Sequence, residues 1–297
     1  MIPIVRRSLT VIAAVIGPSL AFPSLTVAQH TPVQPSQQNV SIPAEGDSVP
    51  MLDFGGRPVV EVMINGKGPY KFIFDTGASL NVLDTSVTAE LGLDDHAGIQ
   101  ELRLGKISVR QLAAFSNPIS QMLGGGDVPR GVLSASSFPG NLVIFDFPGK
   151  RIAFRNGTLP SPDKKTVFSY DPSDLPAIPV NVAGREVTVH LDTGAPYALA
   201  LPTKYMKELP LSGPPVQKGN AKTHGGSLPI YLAPLDGAIG IGSFKLSTHD
   251  LRFTDVVPFG GAEPRGQLGS EALRDLVMTL DSLNHRIELK TPSPAAR

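Results

Sequence analysis

The chain has 297 residues, 26 acidic against 26 basic side chains, 41% hydrophobic residues and no cysteine. Such neutrality, with no basic patch, argues against a nucleic-acid partner, and the lack of cysteine leaves stability to packing rather than disulfides. The 29 prolines and 30 glycines follow no period, which points to short strands and many turns rather than long helices or collagen.

In chain order, Arg6 and Arg7 precede an apolar run from Leu9 to Phe22 and small residues up to Ala28. This layout predicts a signal peptide over 1–28, too short and too interrupted to remain as a membrane span, so the protein is expected to be exported to the periplasm or secreted. Residues 29–48 are polar and Pro-rich and are predicted to be a disordered lead-in. From 49 to 157, short apolar runs alternate with Gly, Pro and Asp turns, the texture of an all-β unit, with one helix predicted over Ser86–Leu91. Residues 158–174 read as a linker. A second all-β unit follows over 175–291, with a helix predicted over Pro202–Leu209, and 292–297 form a tail.

The two units repeat one another. "PVVEVMINGKGPYKFIFDTGAS" aligns with "IPVNVAGREVTVHLDTGAP", "LRLGKISVRQL" with "GAIGIGSFKLSTHDL", and "GVLSASSFPGNLVIFDFPGKRIAF" with "GQLGSEALRDLVMTLDSLNHRIEL". Each half therefore carries one Asp-Thr-Gly-Ala turn at the end of an apolar strand, at Asp75 and at Asp192. A charged group at that point needs a partner, and the duplication supplies one. Two carboxyls brought together cannot both ionise cheaply, so they share a proton and offer a base and an acid at once.

Two such turns, each followed by an apolar segment ending in a small residue, resemble the pepsin and retropepsin superfamily of aspartic proteases, over about 240 residues from Val49 to Leu289. The resemblance implies two retropepsin-like β-barrel lobes about a pseudo-two-fold axis, with an active-site cleft between them. It implies an aspartic endopeptidase with Asp75 and Asp192 as catalytic residues, positioned by Thr76, Gly77, Thr193 and Gly194, the threonines reaching across the axis. A peptide or protein is the expected substrate of a monomer needing no cofactor. Ala78 and Ala195, beside the substrate, stand where pepsin-like enzymes carry a hydroxyl donor; its loss is expected to raise the dyad's pKa values and move activity toward near-neutral pH. The alternative is a catalytically idle two-lobed peptide-binding protein that keeps the fold.

Three positions depart from the family pattern. Lobe one has Leu133-Ser134 where lobe two has Leu268-Gly269. The Gly-rich stretch Asn220–Leu232 places the expected flap in lobe two, around Gly225 and Gly226, the alternative being a plain surface turn. His190 shares a strand face with Asp192, which suits a polar subsite or a dyad perturbation, and equally a packed, hydrogen-bonded histidine. The six histidines show no metal-ligand spacing, so no metal is expected.

Overall fold

The protein is described by a computed structural model over residues 39–95, 98–223, 226–248, 250–257 and 263–292. The expected signal peptide and residues 293–297 lie outside these.

Turn chemistry sets the first hairpin of each lobe. Strands Arg57–Ile64 and Lys67–Asp75 pair antiparallel, with Val60 opposite Phe72, and meet at Asn65-Gly66 with φ of 50° and 81°. A two-residue hairpin that follows the natural strand twist needs positive φ at both positions, which Asn and Gly reach most cheaply. Lobe two repeats this with Ala177–Val182 and Arg185–Asp192, joined at Ala183-Gly184 with φ of 51° and 87°. The correspondence recurs at Gly105 and Gly242 (55° and 54°) and at Lys150 and His285 (49° and 52°).

Six strands of lobe one form a closed ring. Lys67–Asp75 pairs in parallel with Gly131–Ser134, which pairs with Asn81–Asp84, which runs parallel to Ile107–Asn117. Ile107–Asn117 pairs with Gly98–Leu104, and that strand returns to Arg57–Ile64. Closure leaves no ring edge and encloses Val60, Ile64, Phe72, Leu102 and Leu104, all at or below 1% exposure. The predicted helix is present as Thr85–Leu91, started by the Asp84 carboxylate accepting from Ser86 N and stopped by Gly92 at φ 64°.

Lobe two follows the same path through Arg185–Asp192, Gly266–Gly269, Leu199–Leu201 and Asp250–Phe253. Two differences matter. The strand matching Ile107–Asn117 is represented by two segments, Phe244–Leu246 and Asp250–Phe253. A hairpin with no lobe-one counterpart among the described residues, Val216–Thr223 with Gly226–Pro234, extends the sheet beyond Asp250–Phe253. The helix expected over Pro202–Leu209 is a 3₁₀ segment, Thr203–Lys207, since Pro202 and Pro210 bracket a stretch too short to propagate an α-helix.

A third sheet joins the lobes, in the order Val167–Ser169, Arg286–Lys290, Val277–Asp281, Asn141–Asp146, Arg151–Asn156, Asp47–Pro50. Ile144 pairs with Thr279 at its centre, and these positions are equivalent in the repeat, so the pseudo-two-fold axis passes between them. Phe74, the neighbour of Asp75, packs on Phe138, Phe145 and Phe154, with ring centroids 5.1 to 6.1 Å away, which ties the first dyad strand to this sheet.

Two expectations need correction. The lead-in is ordered from residue 39: Asn39–Ser41 pairs with Ile107–Asn117, Asp47–Pro50 pairs with Arg151–Asn156, and Asp47 accepts from Lys106 N. Each covers backbone groups of a sheet edge that would otherwise stay unpaired. The linker likewise contributes Val167–Ser169 to the third sheet, with Val167 and Phe168 each 2% exposed, and Asp163 folds the turn before it by accepting from three successive backbone N–H groups.

Candidate active site

The two Asp-Thr-Gly-Ala loops meet at the lobe boundary, where a symmetric lattice of four bonds holds them. Thr76 N donates to Thr193 Oγ1 at 3.0 Å and Thr193 N to Thr76 Oγ1 at 3.1 Å. The hydroxyls then donate onward: Thr76 Oγ1 to Leu191 O at 2.8 Å, Thr193 Oγ1 to Phe74 O at 2.7 Å. Every bond crosses between lobes, and each carbonyl reached belongs to the residue before the opposite aspartate.

This lattice sets the carboxyls against the opposite glycines. A Cβ added at Gly77 would lie 2.8 Å from Asp192 Cγ, and one at Gly194 would lie 2.5 Å from Asp75 Oδ2, so neither loop has room for a side chain there. Asp75 Oδ1 accepts from Gly77 N at 2.7 Å and from Gly194 N at 3.1 Å. Asp192 Oδ2 accepts from the Gln267 amide at 2.7 Å, while Asp192 Oδ1 has no hydrogen-bond partner among the described residues. The two carboxyls act on each other, and like charges this close favour a single shared proton over two ionised groups.

Asp75 is 3% exposed and Asp192 1%. Burial is the main cause that raises both above the usual carboxylate value. The N–H groups of Gly77 and Gly194 offset the rise at Asp75, whereas the neighbouring Asp75 charge adds to it at Asp192. The pair therefore keeps one proton above the pH at which a lone carboxyl has lost it. The Arg57 guanidinium draws both values down from the rim, where its Nε donates to Gly194 O at 2.8 Å. The hairpin carrying Arg57 reaches from lobe one onto the lobe-two loop, where Ser270 Oγ donates to Gly56 O.

Of the remaining predicted positions, Ala78 and Ala195 are buried beside the dyad, at 4% and 1% exposure. The hydroxyl donor lost at Ala195 has a substitute in Gln267, whose Oε1 accepts from the Tyr197 hydroxyl at 2.6 Å. Sequence reasoning missed both residues. The available signal was a polar side chain in the short, otherwise apolar strand Gly266–Gly269. Ser134 fits because its hydroxyl donates to Ala78 O at 2.5 Å; in lobe two the equivalent Ala195 O accepts from Ser270 Oγ at 2.9 Å. His190 is a packed, hydrogen-bonded histidine. Its Nε2 lies 3.2 Å from Asp174 Oδ1 and from Arg265 Nη1, and burial holds its pKa below the usual value against the pull of Asp174. Gly226 opens a strand of the additional hairpin, and Gly225 lies outside the described residues.

Comparison with known families finds one match: residues 60–101 and 178–272 fit the family model described as aspartyl protease. The two segments contain both Asp-Thr-Gly-Ala loops. No curated protein matches the chain significantly.

Proposed function

We propose, on the premise that two segments carrying both Asp-Thr-Gly-Ala loops fit the aspartyl protease family model, that the chain is an exported, monomeric aspartic endopeptidase. It cleaves extended peptides with water activated between Asp75 and Asp192. The observation that carries this reading is the lattice of threonines that presses two buried, proton-sharing carboxyls together.

In this mechanism Asp75, supported by two backbone N–H groups, accepts a proton from water as the water oxygen attacks the scissile carbonyl carbon. Asp192 gives its proton to the carbonyl oxygen, which yields a neutral tetrahedral diol. Asp75 then returns its proton to the amide nitrogen while Asp192 takes one from a diol hydroxyl, the C–N bond breaks to leave a carboxylic acid and an amine, and the pair ends with the single proton it began with. No covalent intermediate forms. Both pKa values are raised, so the singly protonated pair persists above the pH at which ordinary carboxyls have ionised, which supports activity from mildly acidic toward neutral pH. The additional lobe-two hairpin, Val216–Thr223 with Gly226–Pro234, acts as the flap, pairing its backbone with the extended substrate.

The test is cleavage of an unfolded protein between pH 3 and 8 by the wild type, Asp75→Asn and Asp192→Asn. The wild type is expected to cut and both variants to lose activity by at least about a thousandfold, since each removes one half of the acid–base pair. Full activity in either variant rules out the shared dyad. A wild type that binds peptide but cuts nothing would instead be an idle binding protein.

A further inference from the structure

One chain of polar contacts ends at the dyad from lobe two alone. Gln267, 1% exposed, lies between Asp192 Oδ2 and the Tyr197 hydroxyl, and the Arg252 guanidinium sits 4.5 Å from the Tyr197 ring centroid. The equivalent lobe-one positions hold Val132 and Leu80, which cannot hydrogen-bond through their side chains. The dyad is thus symmetric in its threonines and asymmetric in what touches its carboxyls.

Donor counting fixes the orientation of the amide. With Nε2 toward Asp192, it donates to Oδ2, Tyr197 donates to Oε1, and all four groups are paired. With the amide reversed, Oε1 faces Asp192 Oδ2 and is satisfied only if that oxygen is protonated, while the buried Tyr197 hydroxyl loses its acceptor among the described residues. An unpaired buried hydroxyl is costly enough to decide between the two. Tyr197 therefore selects the first arrangement.

We propose that Gln267 and Tyr197 are positioning residues that keep the dyad's proton off Asp192 Oδ2 and hold it on Oδ1. An N–H aimed at Oδ2 leaves no space for a proton there, and Oδ1 is the buried oxygen with no hydrogen-bond partner among the described residues. A proton on Oδ2 would be tied to the reversed amide and withheld from a substrate carbonyl. The consequence for turnover rests on the protease reading; the placement of the proton rests on this geometry alone.

Tyr197→Phe, Gln267→Met and the double variant test this by two measurements: kcat and KM against pH, and carboxyl titrations by ¹³C NMR without substrate. Tyr197→Phe lets the amide reverse. It is expected to lower kcat by about 10- to 100-fold with little change in KM, because a correctly held proton contributes on that scale. The upper titration of the pair should rise by about one pH unit, as the protonated form gains an acceptor. Gln267→Met raises the same titration by removing a donor to the ionised form, and in its background Tyr197→Phe should have no further effect. Proton placement is overturned if Tyr197→Phe folds with an unchanged upper titration, or if its effect persists in the Gln267→Met background. A wild type that cleaves nothing, with titrations moving as expected, rejects the protease reading and leaves the placement standing. A wild type that cleaves, with titrations unmoved in the variants, does the reverse.

Discussion

The hydroxyls of Thr76 and Thr193 each donate and accept across the lobe boundary, so neither can be removed without orphaning two buried backbone groups. Thr193→Val keeps the shape and strands Phe74 O and Thr76 N. Urea unfolding should show a loss of about 2–4 kcal/mol, the scale of two buried groups left unpaired. At the equivalent positions Ser134 and Gly269 a contrast is expected. A Cβ at Gly269 would come 2.6 Å from Ala195 O, a backbone atom that cannot swing away, so Gly269→Ala should lower the melting temperature sharply. Ser134→Gly adds no atom to a packed site and removes only the hydroxyl's bonds to Ala78 O and to Ser136, so it should have the milder effect. The carboxyls carry a pH signature of their own. Their folded values are raised, so the folded state binds more protons than the unfolded chain, and stability declines as pH rises from about 4, the ordinary carboxylate value, through the raised values. Asp192→Asn should flatten that decline in melting curves taken across the range; an unaltered slope would contradict the burial argument. The loops themselves were legible in the sequence because each is local and each is repeated. Gln267 was not, because its significance depends on Asp192, 75 residues earlier in the chain.

At the scale of elements, the hairpins and the helix Thr85–Leu91 could be read because their turns and caps are written in adjacent residues: Asn65-Gly66, Asp84 and Gly92. The strands Asn39–Ser41 and Val167–Ser169 could not. Their composition resembles a linker, and they are strands only because distant edges, at Ile107–Asn117 and Arg286–Lys290, offer unpaired backbone. The hairpin Val216–Thr223 with Gly226–Pro234 tests the assignment of a flap. Its register places Gly219 opposite Ile230, so joining those two residues through a two-residue turn removes the tip and keeps the sheet. The shortened protein should melt within a few degrees of the wild type and lose at least about tenfold in kcat/KM, the loss expected when a lid that orders substrate is gone. Unchanged kcat/KM would make the hairpin a surface turn.

Across the whole molecule, the third sheet makes the lobes interdependent. Its centre pairs Asn141–Asp146 from one lobe with Val277–Asp281 from the other, and Leu159 N donates to Asp281 Oδ2 across the connecting segment. The lobes are therefore expected to unfold in one transition, coincident by circular dichroism and calorimetry, rather than in two. Each lobe expressed alone should fail to give a cooperative melt. Such dependence bears on the order in which the molecule becomes dangerous. Either aspartate alone, on a chain that is still half folded, is an ordinary carboxylic acid in water. The reactive pair comes into being at the moment Thr76 and Thr193 engage each other's loops, which is also the moment the molecule is complete and hardest to cut. On the protease reading proposed above, assembly itself is the switch, and a nascent chain carries no weapon against its neighbours.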